Sequence, residues 1–126
     1  MEKKKLLVVD DDTEVREFMK SFFEERGFDV RMAADGKEAV EEAEKMRPHL
    51  ILLDVQMPVM DGTKALSLIK QTQPHVKVIM ITGLDTQEKI EGAMRLGADH
   101  YITKPLRLDY LEKQVMNIIS ELMERE

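Results

Sequence analysis

The sequence contains no cysteine and no tryptophan, and only 5% of its residues are aromatic. The absence of cysteine excludes disulfide bonds, thiol catalysis and cysteine-ligated zinc, and it is typical of proteins from a reducing compartment. No apolar run is long enough to cross a membrane or to form the core of a signal peptide. We therefore expect a cytoplasmic protein without membrane insertion.

Basic residues are fewer than acidic ones, at 19 against 25, and the net charge is −6. Phosphate backbones and anionic lipids should repel such a chain, so direct nucleic-acid binding is not expected. What the sequence does have is 43% hydrophobic and 35% charged residues, the balance of a globular protein with a charged surface. Its 126 residues fit one domain, expected to span 1–126.

Five short apolar runs alternate with five segments of helical periodicity, which predicts a doubly wound α/β fold with a parallel sheet between helices. The predicted strands are residues 6–9, 28–33, 50–53, 76–81 and 100–103. The pairs Asp35 with Glu38 and Asp85 with Glu88 match the capping box that opens a helix. Apolar helix positions assigned to the core include Phe18, Met94 and Leu108.

Strand order follows from how evenly apolar each run is, because central strands of a parallel sheet are buried on both faces. The first and third runs are unbroken, and the fourth is interrupted only by Lys77 near its start. The second alternates, with Asp29 and Arg31 between apolar residues, and the fifth is short and half polar. These features favour the order 2-1-3-4-5, with the first and last helices on one face.

Acidic residues stand where this winding would create a binding crevice, at the carboxyl ends of strands one and three. Asp10, Asp11 and Asp12 follow strand one, and Asp54 follows strand three. Converging carboxylates repel one another, a cost that a hard cation or a phosphoryl group offsets. We interpret Asp10, Asp11 and Asp54 as a site, and Asp12 as the N-cap of the first helix.

Two further side chains, Thr82 and Lys104, end strands four and five at the same sheet edge. A hydroxyl donates a hydrogen bond to a phosphoryl oxygen, and an ammonium neutralises its charge. Taken alone, each is better explained as an ordinary strand or surface residue. Together with the three carboxylates they point to phosphoryl recognition.

Four motifs resemble the receiver domain of two-component response regulators. They are VVDD at residues 8–11, LDVQMPVMDG at 53–62, ITG at 81–83 and YITKP at 101–105. They follow the family's order and spacing over essentially the whole chain. The resemblance implies a (βα)5 flavodoxin-like three-layer sandwich, and chemotaxis receivers are themselves an example of the order 2-1-3-4-5.

The resemblance implies a phosphoacceptor and a metal site. Asp54 would accept a phosphoryl group from a sensor histidine kinase, a phosphotransfer protein or a small donor. Mg²⁺ would be held by Asp11, Asp54 and the backbone carbonyl of Gln56, with Asp10 acting mainly through a bound water.

The resemblance also implies a switch. Thr82 would bind a phosphoryl oxygen, while Lys104 would pair with Asp54 and then with the phosphate, aimed by a cis peptide bond before Pro105. Tyr101 would turn inward when Thr82 moves, and so change the face made by helix four, strand five and helix five. A downstream protein target would read that face.

Two other functions are open from the residues. An aspartate-nucleophile phosphatase requires the motif Asp-x-Asp followed by x-Thr or x-Val. After Asp54, Gln56 stands at the position of the second Asp. In the run of aspartates at 10–12, Thr13 lies one position too early. A phosphorylation-independent binding module would lack the site that is intact here. We expect a switch rather than an enzyme for other substrates. Without an output domain, the chain acts alone or is part of a longer regulator or hybrid kinase.

The remaining histidines and methionines have simpler explanations. The three histidines lie at strand starts, opposite the predicted site and without metal-ligand spacing, so we expect surface or capping roles: they are His49, His75 and His100. Five methionines fall on apolar faces and are assigned to the core: Met19, Met32, Met46, Met80 and Met94.

The sequence predicts a long phosphoryl lifetime. In receivers, Gln56 and Leu84 occupy variable positions beside the path of the hydrolytic water, and Leu84 offers that water no side-chain hydrogen bond. We expect the Asp54 phosphate to hydrolyse more slowly in the wild type than in Leu84→Glu, as followed by phosphate release in excess Mg²⁺. Equal rates in the two proteins would remove Leu84 from control of the water.

Overall fold

The structure is a computed structural model that describes residues 3–83 and 87–124. Leu84 and Asp85 lie outside the described residues, so the role of Leu84 and the capping box opened by Asp85 stay predictions. Among the residues described, no helix is long and apolar enough to cross a membrane.

Five parallel strands form one sheet in the order β2-β1-β3-β4-β5, which confirms the predicted order. The strands are β1 Lys5–Val9, β2 Asp29–Ala33, β3 Leu50–Asp54, β4 Lys77–Thr82 and β5 His100–Thr103. The third and fourth strands reach one residue further than predicted, so Asp54 and Thr82 still belong to the sheet. Asp54 pairs with Ile81, and Thr82 pairs with Thr103. The sheet therefore fixes the backbone of both predicted site residues.

Helices cover both faces of the sheet. They are α1 Thr13–Glu25, α2 Gly36–Met46, α3 Gly62–Thr72, α4 Gln87–Arg95 and α5, which comprises Leu108–Tyr110, a π-helical stretch Leu111–Val115 and Met116–Glu124. Alternate strand residues enter opposite layers because successive side chains of a strand point to opposite faces. On β1, Leu7 packs with α2, α3 and α4, whereas Leu6 packs with α1 and α5. This is the predicted division of helices between the two faces.

Aspartates open the first two helices, as predicted. The Asp12 carboxylate accepts a hydrogen bond from the Glu14 backbone N–H at 2.9 Å and so caps α1. Asp35 accepts from the Glu38 N–H at 2.9 Å. The Glu38 carboxylate accepts a hydrogen bond from the Ala34 N–H at 3.4 Å instead of from the N–H of the cap residue Asp35. The predicted capping box is therefore displaced by one residue.

Three predicted core positions are wrong. Phe18 is 39% exposed, Met94 is 41% exposed and Leu108 is 51% exposed. Phe18 and Met94 lie at the margins of the apolar stripes of their helices, and Leu108 is the first residue of α5. On α1 the buried aromatic positions are Phe22 and Phe23, which the helix turns toward the sheet.

The predicted capping role is confirmed for His49, since its Nδ1 accepts a hydrogen bond from the Lys5 backbone N–H at 3.0 Å. His75 is exposed, as expected of a surface histidine.

Two glycines decide how closely α2 and α3 approach the loop after β3. A Cβ at Gly62 would collide with the backbone carbonyl of Asp54, and one at Gly36 would collide with that of Met60. The Gly62 N–H also donates to the Val55 carbonyl at 2.9 Å. The start of α3 therefore lies directly against the end of β3.

We expect Gly62→Ala to lower the free energy of unfolding by about 1–3 kcal/mol, because the added methyl group must displace backbone next to Asp54. The matched control is Gly92→Ala in α4, where a Cβ would meet nothing within 4 Å. That change should raise the free energy by about 0.5–1 kcal/mol, as alanine does in a helix interior. Urea denaturation measures both. Equal effects of the two substitutions would contradict the close approach at Gly62.

Candidate phosphoryl and metal site

The acidic site begins where β1 ends. Asp10 follows the strand directly and is 0% exposed, while its neighbour Asp11 is exposed. Asp10 Oδ1 accepts a hydrogen bond from the Asp12 N–H at 2.9 Å, which fixes the carboxylate against the first turn of α1. The Arg16 guanidinium donates to the Asp10 backbone carbonyl at 2.7 Å. One carboxylate is thus held inside the protein and its neighbour faces solvent.

The structure brings three of the predicted carboxylates together. Asp10, Asp11 and Asp54 each have a carboxylate oxygen within 4.8 Å of the other two. Asp54 is only 3% exposed, so two members of the cluster are buried. Such an arrangement needs positive charge, because burial and mutual repulsion both disfavour ionised carboxylates.

The Lys104 ammonium supplies part of that charge. Its Nζ lies 3.0 Å from Asp54 Oδ2 and 3.2 Å from Asp10 Oδ2. The contact with Asp54 is a hydrogen bond, whereas the buried Asp10 Oδ2 has no hydrogen-bond partner among the described residues. The peptide bond between Lys104 and Pro105 is cis, as the resemblance implied. One ammonium therefore serves two buried carboxylates and hydrogen-bonds only one of them.

The pKa values show that this compensation is incomplete. Burial raises the pKa of Asp54 above its ordinary value, and the nearby Asp10 charge adds to that rise. The hydrogen bond from Lys104 and the backbone N–H of Gln56 oppose it without cancelling it. Burial lowers the pKa of Lys104, but the carboxylates of Asp54 and Asp10 outweigh it and leave that pKa raised. The ammonium gains from the pairing, while the Asp54 carboxylate stays in surroundings that disfavour its charge.

The other predicted residues lie around this cluster. The Gln56 backbone N–H donates to Asp54 Oδ1 at 3.1 Å, and its side chain is exposed. Thr82 is buried at the end of β4, and its hydroxyl donates to the Gly83 carbonyl at 3.1 Å. Tyr101 is exposed on β5, with its ring centroid 6.0 Å from that of His100.

Sequence reasoning missed two residues that support the site. Arg16 braces the loop that carries Asp10, and its other contact is a bond to the Thr13 hydroxyl at 3.1 Å. The spacing of three residues between Thr13 and Arg16 on a predicted helix was the sequence signal for this contact. Tyr110 on α5 accepts a hydrogen bond from the Thr103 N–H at 3.2 Å. That bond depends on how α5 packs, so no sequence pattern indicated it.

The donor set fits a hard divalent cation. Mg²⁺ prefers oxygen ligands, takes one or two carboxylates and keeps several waters. Here the exposed Asp11 gives access from solvent, and Asp10 Oδ2 is a buried acceptor that is ion-paired with Lys104 but receives no hydrogen bond from the described residues. Asp10, Asp11 and Asp54 are therefore the residues that could hold such an ion.

Comparison with known proteins agrees with this geometry. The sequence profile of the response regulator receiver domain matches residues 6–116. The chain belongs to this family. Receiver domains are parts of the response regulators of two-component signalling. The family match and the strand order together confirm the predicted family and fold.

Relatives of this receiver domain include short and long proteins. The chemotaxis protein CheY of Halobacterium salinarum is 36% identical over 120 residues, which cover 95% of this chain and 97% of that protein. The transcriptional regulatory protein PhoP of Bacillus subtilis is 40% identical over 103 residues, 81% of this chain but 42% of PhoP. The chain likewise spans 49% of the probable transcriptional regulator ycf27 of Porphyridium aerugineum.

A solved structure confirms the fold independently. The CheY-like receiver domain protein of Methanospirillum hungatei superposes with a TM-score of 0.89 at 31% identity, covering 99% of this chain and 100% of that one.

The crowding of the carboxylates leads to a stability prediction. Without metal, Asp11→Asn should raise the melting temperature by about 2–5 °C, because it removes repulsion and nearly keeps the side-chain shape. The gain should shrink when Mg²⁺ is added, since the ion stabilises the wild type more than the variant. Differential scanning calorimetry in chelator and in Mg²⁺ measures both effects.

Glu44→Gln, at an exposed position on α2, is the control for loss of one negative charge. It should change the melting temperature equally in chelator and in Mg²⁺. If Asp11→Asn behaves as Glu44→Gln does, the three carboxylates are not a repelling cluster.

Proposed function

We propose that this receiver domain is a Mg²⁺-dependent phosphoacceptor switch whose acceptor is Asp54. The observation that carries the proposal is the position of the Lys104 ammonium, which lies between Asp54 and Asp10 at 3.0 and 3.2 Å. A buried carboxylate is a nucleophile for phosphoryl transfer, and a cation at its side can neutralise charge on the transferred group.

The proposed reaction forms a mixed anhydride on the protein. A carboxylate oxygen of Asp54 bonds to phosphorus as the P–N bond of a phosphohistidine breaks and the imidazole leaves with the electron pair. With a small donor such as acetyl phosphate, a P–O bond breaks instead. The donor is a sensor histidine kinase or a phosphotransfer protein.

Mg²⁺ would be held by Asp11, Asp54 and the Gln56 backbone carbonyl, with Asp10 contributing through a bound water. When bound, it would neutralise charge on the phosphoryl oxygens. Lys104 would follow the transferred phosphoryl group and bind one of its oxygens, while remaining close to Asp10. This division of charge is supported by the geometry, in which one ammonium faces two buried carboxylates.

The proposed output is a change of the surface formed by α4, β5 and α5. Thr82 ends β4 next to the site, and its hydroxyl bonds the Gly83 carbonyl in this state. Drawing that hydroxyl to a phosphoryl oxygen would free space behind it for Tyr101, whose ring is exposed here. A downstream protein would bind one of the two arrangements, so phosphorylation shifts the population it recognises.

Acetyl phosphate tests the acceptor directly. We expect the protein to gain one phosphoryl group by intact mass only when Mg²⁺ is present, because the acidic site otherwise repels the donor. Asp54→Ala should abolish the gain. Glu44→Gln on α2 is the control and should be phosphorylated like the wild type. An undiminished mass shift in Asp54→Ala would refute the assignment.

A further inference from the structure

The outer edge of β5 is closed by side chains. The Lys104 N–H donates to the Thr82 carbonyl at 2.9 Å and therefore points toward β4. Because successive N–H groups of a strand point in opposite directions, those of Thr103 and Tyr101 point away from the sheet. The Tyr101 N–H donates to His100 Nδ1 at 2.9 Å, and the Thr103 N–H donates to the Tyr110 hydroxyl at 3.2 Å.

The Tyr110 hydroxyl is held in place by the core. Its ring is half-buried against the apolar layer between the sheet and helices α1 and α5, and the next residue, Leu111, is fully buried. The helix changes to π geometry at Leu111–Val115, directly after Tyr110, and both ends of that stretch are buried. The hydroxyl is thus a fixed point from which α5 reaches the end of β5.

The Tyr110 hydroxyl bonds Thr103, which directly precedes the lysine whose ammonium belongs to the site. Lys104 is bonded to the sheet by its own N–H, and the residue before it is bonded to α5 by Tyr110. Hydrogen bonds on both sides of the strand set the direction in which the Lys104 side chain leaves the backbone. That side chain is 37% exposed, so packing alone does not confine it.

We propose that Tyr110 is a positioning residue for phosphoryl transfer: its hydroxyl holds the Lys104 ammonium between Asp54 and Asp10. The proposal rests on the function proposed above, because the ammonium's task is to assist transfer to Asp54. A phenylalanine at position 110 would keep the ring contacts and lose only the bond to Thr103. The hydroxyl can therefore be tested separately from the packing of the ring.

Tyr110→Phe should slow phosphorylation by acetyl phosphate in saturating Mg²⁺ by about three- to tenfold, the factor expected for one lost hydrogen bond. Mg²⁺ is kept saturating because displacement of the ammonium beside Asp54 would also change the affinity of the site for the ion. Ile119→Val, a buried position further along α5, is the control for mild destabilisation. It should lower the melting temperature without slowing the reaction.

A double-mutant cycle shows whether the hydroxyl acts through the ammonium. Lys104→Ala should be slow, and adding Tyr110→Phe to it should slow it no further. The same fold-reduction in both backgrounds would mean that the hydroxyl acts by another route, and a wild-type rate in Tyr110→Phe would show that it does not act at all. Either result overturns the proposal.

A measurement without phosphorylation separates this inference from the proposed function. The NMR signal of the Lys104 Cε–H₂ group should shift in Tyr110→Phe and not in Ile119→Val. An unmoved signal in Tyr110→Phe overturns the positioning role, whatever the phosphorylation rates. A wild-type protein that takes no phosphoryl group would refute the proposed function, while the shift would still support the placement of Lys104 by Tyr110.

Discussion

The site depends on one cation shared by two buried carboxylates. Lys104 hydrogen-bonds Asp54 and lies within ion-pair distance of Asp10, yet one buried oxygen of Asp10 has no hydrogen-bond partner in the part of the chain that the structure describes. A buried charge without full compensation is costly, and the raised pKa of Asp54 reflects that cost. The protein carries this cost in the free state, and binding of a cation would relieve it.

The rest of the fold holds these charges in position. Parallel strands with crossover helices bring the ends of β1, β3, β4 and β5 to one edge of the sheet, although the residues concerned are far apart in the chain. The pairing of β3 with β4 fixes the backbone of Asp54. Gly62 brings α3 against that same residue, where a larger side chain would not fit. Arg16 supports the residue after β1, and Tyr110 supports the end of β5.

Much of this could be predicted from the sequence, for identifiable reasons. Strand order follows from which runs are evenly apolar, and the ends of the strands then bring Asp10, Asp54 and Lys104 together. Helix margins could not be predicted in the same way, because a stripe of apolar residues does not show how far the sheet extends beneath it, and Phe18 faces solvent for that reason. The bond between Tyr110 and Thr103 was equally hidden, since it depends on the placement of a whole helix against an edge strand.

The closed edge of β5 limits how another protein can bind there. A partner that joined the sheet as a sixth strand would need free N–H groups along that edge, and those of Tyr101 and Thr103 are already bonded to His100 and Tyr110. Strand addition would have to break both bonds, and one of them supports the residue before Lys104. A partner at this side therefore has to recognise side chains and helix surfaces rather than the backbone of the sheet.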